Sequence, residues 1–321
     1  MGKKNRVICG CLEKPEKFAD FINGSLYEGR QVLLPHEVKN SPTVYTKEER
    51  TRDILRMVYN GENYVLIGLE NQDSVHYAMP VRCMEYDALE YKRQLKELGE
   101  KNERRRKEKK TAMSGSEFLS GMKKEDRLIP VVTIVFYHGE EEYDGCRSLH
   151  DMLHFVKENE IFKQYIPNYH INLVTLRELR EENFHTDVRE LIGFMKRRRS
   201  KKALEEYCRE NKERIRQMEE DTFEAVSVMI NQPELIKKKA IYEEGGKINM
   251  CKAMEDWKEE LLKEGMERGM ESGMERGIKA MILDNMEEGV PKERILKKLQ
   301  KHFGLDADSA EKSFSRYGVC H

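Results

Sequence analysis

Two carboxylates and one amide in this chain have the types and spacing needed to bind a divalent cation and to aim a water molecule. Glu70 and Gln72 stand two residues apart at the polar end of the apolar run VLIGLENQ, and Asp53 lies in another strand-like run upstream. Side chains alternate across a strand, so Glu70 and Gln72 project from the same face. Carboxylate oxygens are ligands that Mg²⁺ prefers, and a bound ion activates water. The three residues therefore predict metal-assisted hydrolysis.

A β-hairpin is the element that would position these residues. The two strand-like runs are joined through Asn60-Gly61, a strong hairpin signal. The predicted cross-strand pairs are Tyr59 with Tyr64, Met57 with Leu66 and Asp53 with Glu70. Like charges opposite each other destabilise a sheet unless positive charge lies between them, which a divalent cation would supply. The alternative is a slipped register that leaves three solvated polar residues at a strand edge.

Composition limits the function classes. The chain has 321 residues, of which 38% are hydrophobic and 36% charged, and its 58 basic and 59 acidic residues give a net charge of −1. No global field attracts nucleic acid, so a polyanion site must be a local patch. The seven cysteines are scattered without paired zinc spacing. No signal peptide is recognised and the longest apolar run, 128–137, is too short to span a bilayer, so we expect a cytoplasmic protein without a membrane partner.

The order of predicted elements indicates an α/β fold. Beyond the hairpin these elements are a helix at 15–28 that carries Asp20, an extended run at 74–83, a charged helix from 85, a buried strand at 128–138, a helix at 148–157 and a strand at 169–176. The strand at 128–138 is almost continuously apolar, which is typical of a parallel or mixed sheet covered by helices. We therefore expect a sandwich of helices on both faces of a sheet.

The C-terminal third is predicted to be helical. Strand signals vanish beyond residue 195, and the predicted divisions of the chain are 1–200, 201–257, 258–280 and 281–321. The segment EGMERGMESGMERGIKAM repeats every four residues and carries Gly265, Gly269, Gly273 and Gly277. Glycine costs about 1 kcal/mol relative to alanine inside a helix, so the repeat needs a reason. Two reasons stay open: a close helix–helix contact filled by methionine, which would support a homo-oligomer, or a flexible linker.

Several segments together resemble a known family. They are FADFINGSLYEGRQVL, RDIL, YVLIGLENQDSVHYAMPVRCMEYDALEY, FLSGMKKEDRLIPVVTIVFYHGEEEYDGCRSLHDM and the GMERGMESGMERG tail. The chain is similar to the Rpn family (recombination-promoting nuclease/putative transposase) of the PD-(D/E)XK nuclease superfamily. The resemblance implies a restriction-endonuclease-like mixed-sheet core with helices on both faces, followed by a C-terminal all-helical region. It also implies Mg²⁺-dependent DNA cleavage, with Mn²⁺ as an alternative ion, and a link to recombination or mobile elements.

The resemblance also assigns roles to the acidic residues. Asp53 and Glu70 would be the motif acids that bind the metal, and Asp20 would match an acidic residue often carried on the first helix. Gln72 would occupy the motif lysine position. Glutamine lacks the positive charge of lysine, although its amide can hydrogen-bond a water or phosphate. The expected function is a metal-dependent DNA endonuclease, and the alternative is a weak or inactive DNA-binding or interaction module that kept the fold.

Basic residues supply the expected contacts to DNA. Arg82 could bind a phosphate through two hydrogen bonds, or it could pair with an acid such as Glu85. The run Lys196, Arg197, Arg198 and Arg199 is a candidate for contacts to the DNA backbone, which would make binding dependent on salt and independent of sequence. Such runs are also common on solvated helix faces.

Overall fold

Strand-forming runs build one mixed sheet at the centre of the fold. The computed structural model describes residues 2–41, 53–60, 63–109, 113–157 and 159–318. Within these ranges the sheet consists of β1 (Val38–Asn40), β2 (Ile54–Asn60), β3 (Asn63–Gln72), β4 (Val131–Tyr137) and β5 (Asn172–Thr175). The strands lie side by side in chain order. β1, β2 and β3 pair antiparallel, whereas β3, β4 and β5 pair parallel.

The chain divides into two compact units, Met1–Cys251 and Lys252–His321. The predicted division at residue 200 lies inside the first unit. Helices of the first unit are α1 (Lys3–Leu12), α2 (Pro15–Leu26), α3 (Met79–Lys109), α4 (Gly115–Ser120), α5 (Leu149–Met152), α6 (Val188–Arg197), α7 (Lys201–Glu210), α8 (Lys212–Ile215), α9 (Glu220–Met229), α10 (Glu234–Lys237) and α11 (Lys239–Tyr242). No helix in the described part of the chain is sufficiently long and apolar to cross a membrane.

Helices cover both faces of the sheet. On one face, Phe21 of α2 packs edge-to-face against Phe136 of β4, with ring centroids 4.9 Å apart. On the other face, Met79 and Cys83 of α3 are buried against Val135 of β4. Successive residues of β4 therefore point to different helical layers, which explains why this strand is apolar on both sides. The predicted mixed-sheet α/β fold with helices on both faces is confirmed.

The predicted extended run at 74–83 is wrong in its second half, because α3 begins at Met79. Pro80 lies in the first turn of α3, where its missing N–H leaves no hydrogen bond unmade. Met79, Cys83 and Tyr86 are all buried. Their spacing of four and then three residues is the period of a helix rather than of a strand.

Other predicted elements are shorter than expected. Only α5 forms within the predicted helix at 148–157, and β5 covers four residues of the predicted strand at 169–176. The helical region after residue 195 also contains a small antiparallel hairpin, β6 (Glu243–Glu244) with β7 (Lys247–Ile248). Gly245 and Gly246 connect these strands with φ of 60° and 78°. That left-handed conformation favours glycine over other residues.

The second unit is helical. α12 (Met250–Glu287) runs into it and is followed by α13 (Lys292–Phe303) and α14 (Ala307–Tyr317). Ile282, Ile295 and Leu299 are fully buried in a small core of their own. α12 is helical through the whole glycine repeat. At Gly277 an added Cβ would lie 3.0 Å from the ring of Phe303, so this glycine allows α13 to approach closely.

Candidate active site

The hairpin register places Asp53 opposite Glu70. Ile54 pairs with Leu69 at the open end of the hairpin, and the predicted pairs of Tyr59 with Tyr64 and Met57 with Leu66 are confirmed. Asp53 precedes Ile54 and Glu70 follows Leu69, so the two acids are the next facing pair. The connecting residues 61 and 62 lie outside the described residues. The slipped-register alternative is therefore wrong.

Glu70 is a fully buried carboxylate on the face of the sheet that α3 covers. Its exposed fraction is 0%. Its strand neighbour in the parallel pair is Val135, which packs against α3. The guanidinium Nη2 of Arg82 on α3 donates to Glu70 Oε2 at 3.0 Å. Arg82 therefore pairs with an acid, as one of its two sequence interpretations expected, and it places a positive charge beside Glu70.

Asp53 lies in the same electrostatic environment. Its Oδ2 accepts a hydrogen bond of 2.8 Å from the backbone N–H of Asn71, the residue after Glu70. Burial raises the pKa of Asp53 above its ordinary value, although the Asn71 N–H and the positive charge of Arg82 act in the opposite direction. A raised carboxylate pKa means that the charged form is incompletely compensated. Added positive charge near Asp53 would lower this pKa.

Both carboxylates of the acidic pair act on the pKa of Arg82. Burial alone lowers its pKa, but Glu70, Tyr86 and Asp53 outweigh burial and raise the pKa overall. The guanidinium carbon lies 5.6 Å from the centre of the Tyr86 ring, which is one helical turn further along α3. Arg82 is therefore a permanently charged group held between the aromatic ring and the acidic pair.

Gln72 ends β3 on the same face as Glu70. Its cross-strand partner in the parallel pair is Tyr137, and its backbone carbonyl accepts the N–H of His138 at 2.9 Å. Gln72 is half-buried. Because the carboxyl ends of parallel strands are the usual place for ligands in α/β sheets, Gln72 stands where a substrate would meet the acidic pair.

The opposite face of β3 is anchored to α1. Asn71 donates through Nδ2 to the sulfur of Cys9 at 3.0 Å, and its carbonyl accepts a hydrogen bond of 2.8 Å from Asn5. Burial, and next the charge of Asp53, raise the pKa of Cys9 to about 12. The thiol therefore stays protonated at neutral pH, and these contacts hold the end of β3 in place.

The carboxylate of Asp20 accepts hydrogen bonds from the turn before α6, whereas the resemblance implied a place for this residue at the acidic pair. Its Oδ1 accepts the backbone N–H of His185 at 2.9 Å. Its Oδ2 accepts the backbone N–H and the hydroxyl of Thr186 at 2.8 and 2.7 Å. Both oxygens are thus engaged with the turn that precedes α6. Asp20 thereby ties α2 to the turn before α6.

The predicted basic run 196–199 makes several contacts within the protein. Lys196 donates to the carbonyl of Leu179. Arg197 pairs with Glu181 at 2.6 Å and lies over the ring of Tyr207, 4.3 Å from its centre. These two side chains fasten α6 to neighbouring segments.

The second half of the run meets the loop after β4. Arg198 is almost fully buried and donates to the carbonyl of His138 at 2.8 Å. Arg199 pairs with Glu140 at 2.6 Å and its side chain is 59% exposed. Both arginines line a cleft of about 390 Å³ that also contains Glu140 and Tyr137. Arg199 is the arginine of this run that reaches solvent most fully.

The donor set tests whether a divalent ion fits this place. Within the described ranges no group of three or more His, Cys, Asp or Glu side chains is placed to hold a metal. Mg²⁺, however, is commonly held by one or two carboxylates and completes its octahedron with water and substrate phosphates. Asp53 and Glu70 are two carboxylates on facing strand positions. They are the residues that would hold such an ion.

The fold and the site together define a class of protein: an α/β protein whose mixed sheet carries an acidic pair at the end of a hairpin. The family model described as "Putative transposase, YhgA-like" matches residues 6–225, more than half of the chain. The chain belongs to this family, which is part of the PD-(D/E)XK and Rpn-like group of putative transposases. This membership indicates a function associated with mobile elements. Neither a curated protein nor a solved structure matches the chain significantly.

Proposed function

We propose that the protein is a metal-dependent DNA endonuclease that hydrolyses phosphodiester bonds in recombination or the movement of mobile elements. The observation that carries this proposal is the hairpin register, which puts Asp53 opposite Glu70 with Gln72 on the same face as Glu70. Family membership supports DNA as the substrate.

Asp53 and Glu70 would hold Mg²⁺, or Mn²⁺ in its place. When bound, such an ion polarises the scissile phosphate and lowers the pKa of water. Gln72, two residues after Glu70 on the same strand, would orient the attacking water by a hydrogen bond from its amide. Burial of Glu70 and the contacts of Asn71 keep these groups in fixed positions, which lowers the reorganisation needed during reaction.

DNA contacts are proposed for Arg82 at the site and for the exposed end of the basic run at Arg199. The net charge of −1 makes such local cations necessary for binding a polyanion. Lys196, Arg197 and Arg198 act mainly by shaping this edge of α6, because their charged groups bond to protein partners.

The glycine–methionine repeat is proposed to mediate self-association. Met266 and Met270 are strongly exposed along α12. An added Cβ at Gly265, Gly269 or Gly273 would meet no atom within 4 Å. A partner helix could therefore approach the backbone closely there, with methionine filling the gaps.

The decisive experiment is cleavage of supercoiled and linear DNA with Mg²⁺ or Mn²⁺, run beside EDTA. Glu70→Gln removes one buried carboxylate from the site. Glu90→Gln is the matched control, because Glu90 is also a fully buried glutamate paired with an arginine of α3, Arg93. We expect metal-dependent nicking by wild type and Glu90→Gln, and none by Glu70→Gln. Equal cleavage by all three folded proteins would contradict the proposal.

One observation favours a second candidate, a DNA-binding module without catalysis. Gln72 lacks the charge of the motif lysine, and Arg82 already neutralises Glu70. Such a module would bind DNA equally well after Asp53→Ala or Glu70→Ala and would give no metal-dependent products. Fluorescence anisotropy with a labelled duplex, measured beside the cleavage assay, separates the two functions.

A further inference from the structure

The acidic pair has a cation close to it, and that cation comes from a helix rather than from the motif strand. Gln72, at the end of β3, has an uncharged side chain, whereas Arg82 of α3 lies 3.0 Å from Glu70. We infer that Arg82 is a catalytic residue that contacts the scissile phosphate and supplies the positive charge absent at position 72. This inference rests on the function proposed above and adds a specific residue to it.

Packing fixes the position of Arg82. Met79 and Cys83, which flank it on α3, are fully buried against the sheet. The guanidinium is thereby directed to the end of β3, where it meets Glu70. Its side chain is 30% exposed, although Glu70 itself is 0% exposed. Arg82 thus spans from the buried carboxylate to solvent, where a DNA phosphate would arrive.

The chemistry of the guanidinium allows both contacts. It carries five N–H donors, which exceeds what the bonds to Glu70 and Tyr86 require. A guanidinium binds phosphate oxygens through paired hydrogen bonds and does not give up its proton at neutral pH. Arg82 therefore acts by charge and hydrogen bonding, and not as an acid or base.

The charge of Arg82 also favours this role. Its guanidinium hydrogen-bonds Glu70 at 3.0 Å and interacts electrostatically with both Glu70 and Asp53. A phosphate held next to these two carboxylates would therefore lie beside the same guanidinium.

A second arginine on α3 shows what a purely structural pair looks like. Arg93 binds both oxygens of the buried Glu90, at 2.6 and 3.0 Å, and also Glu97 at 2.6 Å. It is held by two carboxylates, whereas among the described residues Arg82 makes one hydrogen bond to one carboxylate oxygen. Arg82 is therefore the arginine with capacity for a further anion.

The step that Arg82 assists is hydrolysis of a phosphodiester, in which no atom is oxidised or reduced. A bond forms between the water oxygen and phosphorus, and the bond from phosphorus to the leaving sugar oxygen breaks. One water proton passes to solvent, and the leaving oxygen takes a proton from solvent. Negative charge grows on the phosphate oxygens during this exchange, and Arg82 donates hydrogen bonds to them, which lowers the barrier.

The test compares Arg82→Gln with Arg93→Gln, which removes a similar ion pair about 16 Å further along the helix. We expect Arg82→Gln to lower the cleavage rate at least about 100-fold. Arg93→Gln should cleave as wild type does. Arg82→Lys should retain part of the rate. Gln72→Lys added to Arg82→Gln should recover much of it, because the charge returns to the same face of the site.

Thermal unfolding with and without Mg²⁺ tests the same inference in the absence of DNA. Arg82 and Mg²⁺ compete for Glu70, so Mg²⁺ should raise the melting temperature of Arg82→Gln more than that of wild type or Arg93→Gln. Cleavage by Arg82→Gln at the wild-type rate, or no gain from Gln72→Lys, would overturn the inference and leave the nuclease function standing. Absence of metal-dependent cleavage by wild type would instead overturn the proposed function and the inference together.

Discussion

Two clusters of charge in the first unit differ in how completely their charges are compensated. One surrounds Lys17, a side chain only 2% exposed that lies 2.7 Å from Asp221 and 3.0 Å from Asp187. The charged members of this cluster are Lys14, Lys17, Lys247, Asp187, Glu219 and Asp221. Burial alone would lower the pKa of Lys17, but Cys11, Asp187 and Asp221 together keep that pKa above the ordinary value. Three cations thus face three carboxylates.

The other cluster, at the end of β3, has a different balance among the residues that the structure describes. There the cation in contact with Glu70 is Arg82, and burial raises the pKa of Asp53. Lys17 also donates to the hydroxyl of Thr222 on α9, so its bonds join α2 to α9. In the described part of the chain, Arg82 ties Glu70 to α3, only twelve positions away in sequence.

The difference separates a structural cluster from a functional one. A fully paired buried cluster keeps helices together and is strongly destabilised when one partner is removed. A cluster with excess charge of one sign destabilises the folded protein unless a ligand brings the opposite charge, and such sites are often functional. Variants in the two clusters should therefore change different properties.

The largest expected effect is on activity, from Asp53→Asn. The cleavage rate should fall at least about 100-fold, because one of two metal-binding carboxylates is lost. Without metal, the free energy of unfolding should stay equal or rise, because the raised pKa shows that burying the charged form is unfavourable. Asp187→Asn is the counterpart in the Lys17 cluster. It should lower the free energy of unfolding by about 1–2 kcal/mol and leave cleavage intact.

The proposed difference between the clusters would be contradicted if Asp53→Asn and Asp187→Asn lowered the free energy of unfolding by the same amount. Urea unfolding in EDTA measures both values, and supercoiled-plasmid nicking measures the rates. Equal destabilisation would mean that the acidic pair is a structural cluster as well.

The next largest effect is on stability, from Lys17→Met. Replacing the fully buried cation of this cluster removes its ion pairs with Asp187 and Asp221, and we expect a loss of about 3 kcal/mol in the free energy of unfolding. Lys14→Met is the matched control, since Lys14 contacts Glu219 and Asp221 but its side chain is 47% exposed. Its cost should be below about 1 kcal/mol. Equal urea midpoints for the two variants would contradict the assignment.

Local patterns were sufficient to predict the hairpin and the central strand. Alternation of apolar residues and the Asn60-Gly61 signal determined the register, and that register placed Asp53 opposite Glu70. The apolar run at 128–138 predicted β4 because a strand buried on both faces needs no alternation. These features depend on neighbours in sequence or on one short connection.

Contacts between distant segments could not be predicted. Arg82 and Glu70 are twelve positions apart, and their meeting depends on where α3 starts, which the strand-like reading of 74–83 obscured. The spacing of Met79, Cys83 and Tyr86 was the available signal. Asp20 meets Thr186 across 166 positions, and no local pattern reports such a pairing.

A smaller effect on the melting temperature should appear as the pH falls. The pKa shifts behind it have opposite signs in the two clusters. The pKa of Glu219 is lowered to about 2, first by its hydrogen bond to Lys14, so its stabilisation is complete above the ordinary value of 4.5 and disappears as pH falls toward about 2. The pKa of Asp53 is raised, so its carboxylate protonates earlier on acidification and Mg²⁺ binding weakens first.

Melting curves between neutral and acidic pH, with and without Mg²⁺, check this order. The increase in melting temperature caused by Mg²⁺ should disappear at a higher pH than the contribution of Glu219, and Asp53→Asn should show a strongly reduced increase at every pH. An increase that persists to the pH where Glu219 is protonated would place the metal elsewhere.

The smallest expected effect comes from Arg199→Ala, which tests an exposed ion pair against both buried clusters. Its pair with Glu140 is largely solvated, so the free energy of unfolding should change by less than about 1 kcal/mol. If Arg199 binds a DNA phosphate, affinity should fall for all sequences alike and the slope of log affinity against log salt should decrease by about one. Arg209→Ala, an exposed pair partner of Glu206 on α7, is the control that should leave the slope unchanged. An unchanged slope in Arg199→Ala would show that this arginine only pairs with Glu140, and DNA contacts would then have to come from Arg82 and other cations.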